Sequence, residues 1–207
     1  MQFLKRVGKQ LEKHYGKPKG VIGWYMGEKM IRQHKPETNW SIELLDLQKN
    51  EDVLEIGFGA GYALKRIAEK STVRKVIGID SSKTLLRSST FRNKRKIKNK
   101  KVTLYKGSVD NLPFNNQFFS RVLSIHSIYF WEDLQTSMVE IYRVLRPGGF
   151  VLITLSDGKD GKTWEAINSK IEDELIPSMK RINFKNVKVE RGPSSRGYHI
   201  ISVTGCR

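Results

Sequence analysis

Cysteine, proline and acid are what this 207-residue chain has little of: one Cys, six Pro, and 21 Asp and Glu against 38 Lys and Arg. A lone thiol, Cys206, excludes an intramolecular disulfide framework and any zinc site built from several cysteines. Long hydrophobic runs are missing too, with nothing near the roughly 18 consecutive apolar residues of a membrane span. The start, Met1-Gln2-Phe3-Leu4-Lys5-Arg6, lacks the apolar core and small-residue cleavage pattern of a secretory leader. A cytoplasmic location is therefore expected. The shortage of acid leaves a formal net charge of +17, which attracts phosphate-bearing partners. Hydrophobic residues at 38% and aromatics at 10% suffice for a packed core, and the length favours one large domain.

The first fifty residues are polar and basic. Trp24, Tyr25, Met26, Met30 and Ile31 recur at spacings that suit one helix face. Thr38-Asn39-Trp40-Ser41 offers several N-caps for a second short helix through Ile42, Leu44, Leu45 and Leu47. From Glu51 the pattern alternates strand and helix. Strands are predicted at 53–56, 76–79, 102–105, 121–125 and 150–155, and helices at 63–70, 83–91 and 134–145. Pro147-Gly148-Gly149 is expected to end the last of these. Such alternation implies right-handed crossovers and a mostly parallel sheet. A further helix from about Trp164 to Met179 precedes strands at 186–191 and 199–204. The turn-rich Gly192-Pro193-Ser194-Ser195-Arg196-Gly197 makes these two a hairpin, so one edge strand should run antiparallel.

Glu55-Ile56-Gly57-Phe58-Gly59-Ala60-Gly61 falls where the first strand turns into its helix. Glycines there allow a tight turn and close approach of a ligand to backbone. A dinucleotide fingerprint would need a third glycine where Tyr62 stands, and the Glu55 carboxylate suits a ligand with positive charge near the turn. Asp80 ends the second strand, where a carboxylate can accept both ribose hydroxyls of an adenosine lying across the crevice. The third strand leads to Gly107-Ser108-Val109-Asp110-Asn111-Leu112-Pro113-Phe114. The fourth delivers Ile125-His126-Ser127 to the same edge, where His126 is the candidate to take a proton near neutral pH.

These segments, with Phe119-Ser120-Arg121-Val122 and Glu140-Ile141-Tyr142-Arg143-Val144-Leu145-Arg146-Pro147-Gly148-Gly149, follow one another in an order that resembles the class I S-adenosylmethionine-dependent methyltransferases of the small-molecule type. The close resemblance covers about half the chain. It implies a Rossmann-like, doubly wound α/β fold with a mostly parallel seven-stranded sheet in residues 51–207, preceded by N-terminal helices in residues 1–50. It also implies S-adenosyl-L-methionine as cofactor. Glu55 and the Gly57, Gly59, Gly61 loop would hold the methionine part, Asp80 with Ser81 the ribose, Ser108 and Val109 the adenine. Ile125 would offer backbone near the methionine amine. Two positions depart from the family: Ser108 replaces an acidic residue that accepts from the adenine amine, and Ser120 replaces an Asp of structural role. Tyr25, Met26 and Met30 would line a lid over the sulfonium.

No metal is expected. The favoured acceptor is a small molecule, and the alternatives are RNA or another macromolecule, or a cofactor-binding protein without activity. Ile125-His126-Ser127-Ile128 lacks the Asn/Asp-Pro-Pro-aromatic run of enzymes that methylate base amines, and Cys206 is badly placed for cytosine chemistry. The basic stretch Arg92–Lys101 is expected to contact nucleic acid or anionic surfaces nonspecifically. It should do so from the sheet edge opposite the ligand.

Overall fold

A computed structural model describes the backbone of residues 20–207 and the side chains from residue 31 onward. Helix α1 (Gly20–Leu44) leads into β1 (Glu51–Ile56), α2 (Tyr62–Glu69), β2 (Val73–Asp80), α3 (Lys83–Arg92), α4 (Lys94–Lys98), β3 (Val102–Lys106) and β4 (Phe119–Ile125). Then come α5 (Leu134–Val144), β5 (Leu145–Lys159), the two-residue β6 (Lys162–Thr163) and α6 (Glu165–Ser169). A π-helical stretch (Lys170–Leu175) carries the chain into α7 (Ile176–Arg181), β7 (Lys185–Arg191) and β8 (Tyr198–Cys206).

The main sheet has the order β3-β2-β1-β4-β5-β8-β7, with β6 paired to β5. Its first five strands are parallel. The expected reversed strand is β8, which runs antiparallel to both β5 and β7 and so lies one place in from the edge. Buried strands show apolar residues on both faces. Leu54 and Ile56 of β1 join the core under α5 and α7, while Val53 joins Ile42, Leu45, Leu64 and Ile67 on the other face. Each such side chain contributes about 1.5–3 kcal/mol when fully buried. The chain moves from β1 to β2 and β3 on one side and returns to β4 on the other. This makes the carboxyl ends of β1 and β4 the topological switch point, where open α/β sheets bind ligands.

Three local expectations change. First, residues 38–41 do not cap a second helix, because α1 runs unbroken through them with Pro36 inside it. Thr38 Oγ1 donates to His34 O at 2.6 Å, and Ser41 Oγ donates to Glu37 O at 2.7 Å. Buried Ser41 also meets Thr154 of β5 at 2.7 Å, and Thr154 meets Ser202 of β8 at 2.7 Å, so a hydroxyl chain fastens α1 to the sheet. Second, β5 begins at Leu145, before Pro147-Gly148-Gly149 rather than after it. Its register slips between the pairs Phe119–Leu145 and Arg121–Phe150, and Gly148 and Gly149 exchange backbone bonds with Arg207.

Third, the basic stretch does not lie wholly at the far edge. Asn93 Nδ2 donates to Gly61 O at 3.0 Å and Arg92 Nε to Ala60 O at 2.9 Å, so α3 ends against the glycine loop. The chain descends only in α4, where Lys96 Nζ reaches Ala68 O at 3.2 Å and Lys101 bonds Val73 O. The side chains of Tyr25, Met26 and Met30 lie outside the described residues. Among the described residues, no helix is long and apolar enough to cross a membrane.

Candidate functional site

The glycine loop is shaped by its neighbours. Gly57, Gly59 and Gly61 all have positive φ, at 72°, 52° and 78°. A Cβ on Gly57 would collide with Ser127, and one on Gly61 with Ser89, so these two are needed for packing. A Cβ on Gly59 would meet nothing within 4 Å, which leaves that backbone open to a ligand. Beside the loop lies a cavity of about 790 Å³, within the range of cofactor sites. Glu55, Gly57, Gly59, Asp80, Ser81, Ser108, Val109, Ile125 and His126 line it. Gly61 does not. It is turned toward Ser89 and Asn93 and supports the loop from behind.

Asp80 is nearly buried, with Oδ1 accepting from Ser82 N at 2.8 Å and Oδ2 from Gly59 N at 3.0 Å. The cap of α3 is Ser82, which accepts from Leu85 N, so Asp80 is not spent on capping. Each Asp80 oxygen keeps a lone pair for a hydroxyl donor. Burial pushes the Asp80 carboxyl above its ordinary range, against the two backbone bonds. Glu55 is buried more deeply, and its Oε2 has no hydrogen-bond partner among the described residues. Burial, then the nearby Asp80 charge, raises its pKa to about 8. A buried acceptor left open beside a second carboxylate is a place for a cation. The ammonium group of S-adenosylmethionine supplies one, and its ribose supplies the hydroxyl pair that Asp80 can accept. The residues present fit that cofactor.

In the loop after β3, Ser108 Oγ donates to Asp110 Oδ2 at 3.1 Å, and Asp110 also accepts from Ser137. The hydroxyl at this position is therefore turned to its own loop. Glu140 and Arg143 of α5 hold the same loop: Glu140 accepts from Leu112 N at 2.8 Å, and Arg143 donates to Leu112 O and Phe114 O. Ser120 has the structural role expected of it, with Oγ exchanging bonds with the backbone N and O of Asp52.

Beyond Ile125 the backbone enters the left-handed region at His126, with φ 55°, and His126 N donates to Thr154 O at 2.8 Å. Non-glycine residues rarely hold that conformation, and it turns the imidazole into the cavity wall. Ser127 Oγ bonds Ile56 O and Trp131 Nε1, which ties this turn to β1. The His126 ring stacks near-parallel on Tyr129, with centroids 6.3 Å apart, and lies 4.9 Å from the ring of His34.

His34, Ile31 and Thr38 of α1 line the same cavity, as do Phe130 and Trp131. Sequence reading missed this group. His34 Nδ1 lies 2.7 Å from Oε1 of the wholly buried Glu37, which also receives Arg196 Nη2 at 3.3 Å and faces His126 Nε2 at 3.7 Å. Burial alone would raise the Glu37 carboxyl, but His126 and His34 hold it well below the usual carboxylate range. Burial pushes the His126 imidazole down, against the pull of Glu37 and with the charges of His34 and Arg196. The signal available in the sequence was the i, i+3 pair His34 and Glu37. Arg196 sits in a segment that reads only as a turn.

The family model described as a methyltransferase domain matches residues 54–153. An uncharacterized methyltransferase, YdaC, of Bacillus subtilis (strain 168) is 29% identical over 167 residues, covering 78% of this chain and 90% of that one. In fold, the chain is similar to a SAM-dependent methyltransferase from Aquifex aeolicus, with TM-score 0.68, 17% identity, and coverage of 88% and 97%. It is also similar to phosphoethanolamine N-methyltransferase 2 of Haemonchus contortus, solved with S-adenosyl-L-methionine, with TM-score 0.72, 17% identity, and coverage of 89% and 56%. The strand order, the glycine loop at the switch point and these likenesses agree: residues 54–153 are a methyltransferase domain, in a chain with the fold of the S-adenosylmethionine-dependent methyltransferases.

Proposed function

We propose that the acceptor is a small molecule, methylated in a chamber that α1 roofs over the cofactor crevice. The observation that carries this reading is that Ile31, His34 and Thr38 of α1 line the same cavity as Gly59 and Asp80. A roof of this kind suits an acceptor that enters whole, rather than a strand threaded along an open basic groove. Residues 1–50 are then the lid, and residues 51–207 carry the cofactor. In this reading Glu55 faces the methionine ammonium, Asp80 and Ser81 the ribose, Ser108 and Val109 the adenine, and the Ile125 carbonyl the methionine end.

The cofactor supplies an electrophilic methyl group on a sulfonium, whose departing thioether needs no acid. What the chain must add is alignment, and fixed orientation is worth about 7–11 kcal/mol of a barrier. Phe130, Trp131 and Ile31 line the acceptor end, and Gly57 and Gly59 the cofactor end. The test is conversion of S-adenosylmethionine to S-adenosylhomocysteine with extract split by ultrafiltration. Turnover with the low-mass fraction is expected. Turnover only with the macromolecular fraction, abolished by nuclease or protease, contradicts the small-acceptor reading.

A further inference from the structure

We infer that His34, oriented by Glu37 and Arg196, is the proton acceptor of the reaction, and that the acceptor molecule therefore attacks through an O–H or N–H group. The inference rests on the reading above in placing the acceptor beneath α1. It deepens that reading by naming the acceptor's chemistry.

The geometry begins with the short contact between His34 Nδ1 and Glu37 Oε1, at 2.7 Å. A carboxylate only accepts, so Nδ1 carries the hydrogen and the lone pair resides on Nε2. His34 lines the cavity, and with Nδ1 committed to Glu37, Nε2 is the nitrogen left to it. Glu37 has no exposure to solvent and is fixed by its own backbone position in α1, by Ser41 on its carbonyl and by Arg196 on Oε1. A carboxylate held at the far nitrogen fixes ring orientation and tautomer, and stabilises the imidazolium that forms when Nε2 takes a proton.

His126 is the weaker candidate for this role. Its Nε2 is buried without a hydrogen-bond partner among the described residues, at 3.7 Å from Glu37 Oε1, and burial disfavours its charged form. It serves instead as a neutral wall, packed between the rings of His34 and Tyr129. The groups facing His34 are thus Glu37 from α1, His126 and behind it Tyr129 from the segment after β4, and Arg196 from the β7–β8 turn, whose Nη2 also lies 3.3 Å from His34 Nδ1. His34, Glu37 and His126 offer donor atoms within 4.8 Å of one another, a spacing that also invites a cation. Arg196 already brings positive charge to the same carboxylate oxygen.

The step balances without another reactant. The acceptor's oxygen or nitrogen forms a bond to the methyl carbon as the carbon–sulfur bond breaks, and the bonding pair stays on sulfur. The proton of the attacking group passes to His34 Nε2 and from there to water after product leaves.

Two measurements test this. Nitrogen-15 long-range correlation spectra of histidine-labelled protein with S-adenosylhomocysteine bound, assigned with His34→Gln and His126→Gln, report which nitrogen carries hydrogen. His34 is expected as the Nδ1–H tautomer at pH 8, and an Nε2–H tautomer overturns the inference whatever the acceptor proves to be. With the low-mass fraction that supports turnover, His34→Gln should lower kcat about 10²–10⁴-fold, with KM and S-adenosylhomocysteine affinity unchanged. Glu37→Gln should lower kcat at least about tenfold. Unchanged kcat in His34→Gln overturns the role. So does a stoichiometric metal in the purified protein whose removal abolishes turnover. Failure of every low-mass fraction would count against the small-acceptor reading alone, because the tautomer spectrum judges the His34–Glu37 pair independently.

Discussion

Asp80 and Glu55 face one cavity with opposite needs. Asp80 has two backbone donors and spare lone pairs, so it is ready for hydroxyls in the ionised state. Asp80→Ala should weaken S-adenosylmethionine binding by about 1.5–3 kcal/mol, the scale of hydrogen bonds to a charged group, and calorimetry reads it directly. Glu55 has no counter-charge among the described residues, and its pKa of about 8 lies above the 4.5 of an unburied glutamate. Between those values the folded protein holds a proton that the unfolded chain has lost. Stability from Glu55 is therefore fully present below about pH 4.5 and declines as pH rises toward 8, by on the order of 3 kcal/mol at pH 7. Glu55→Gln should flatten this decline in urea melts of the ligand-free protein while weakening cofactor binding, and an equal pH slope in both proteins would contradict the assignment. Both carboxylates were legible in the sequence because each lies at a strand end beside a recognisable turn. His34, Glu37 and Arg196 were not, since 162 positions separate His34 from Arg196 and no local pattern links them.

The glycine loop, α1 and the start of β5 show why some elements were legible and others not. Strands β1, β2, β4 and β5 are buried on both faces, and burial of that kind writes a continuous apolar run into the sequence. In α1, Thr38 and Ser41 have the chemistry of caps, but their hydroxyls bond back to the preceding turn, and the contact of Ser41 with Thr154 secures the longer helix. That contact spans 113 positions and has no trace in local pattern. Within the loop, the glycines divide by what surrounds them. Gly61→Ala drives a Cβ into Ser89 and should lower Tm by roughly 5–10 °C, from overpacking of about 1–3 kcal/mol added to left-handed strain. Gly59→Ala adds only the strain, so its Tm should fall less while affinity for S-adenosylhomocysteine falls more. Thermal melts with and without ligand check both, and the reverse order would mean that Gly59 does not face the cofactor.

At the scale of the whole molecule, charge and site are separable but not as far apart as the sequence suggested. Arg92 and Asn93 brace the glycine loop, and Lys96 and Lys101 cap backbone carbonyls at the other end of α2 and β2. Replacing Lys94, Arg95 and Lys98 with Gln should reduce the salt-sensitive retention of the protein on heparin or RNA and leave cofactor affinity unchanged. A loss of cofactor affinity in that variant would tie the basic stretch to the site itself. The fold rests on seven strands arranged around one switch point, and everything proposed for the chemistry depends on which ligand occupies it. Titration calorimetry of the intact protein with S-adenosylhomocysteine and, separately, NADH addresses that most directly. Saturable one-to-one binding of S-adenosylhomocysteine with no heat from NADH is the predicted result, and binding of NADH with none of S-adenosylhomocysteine would contradict the account.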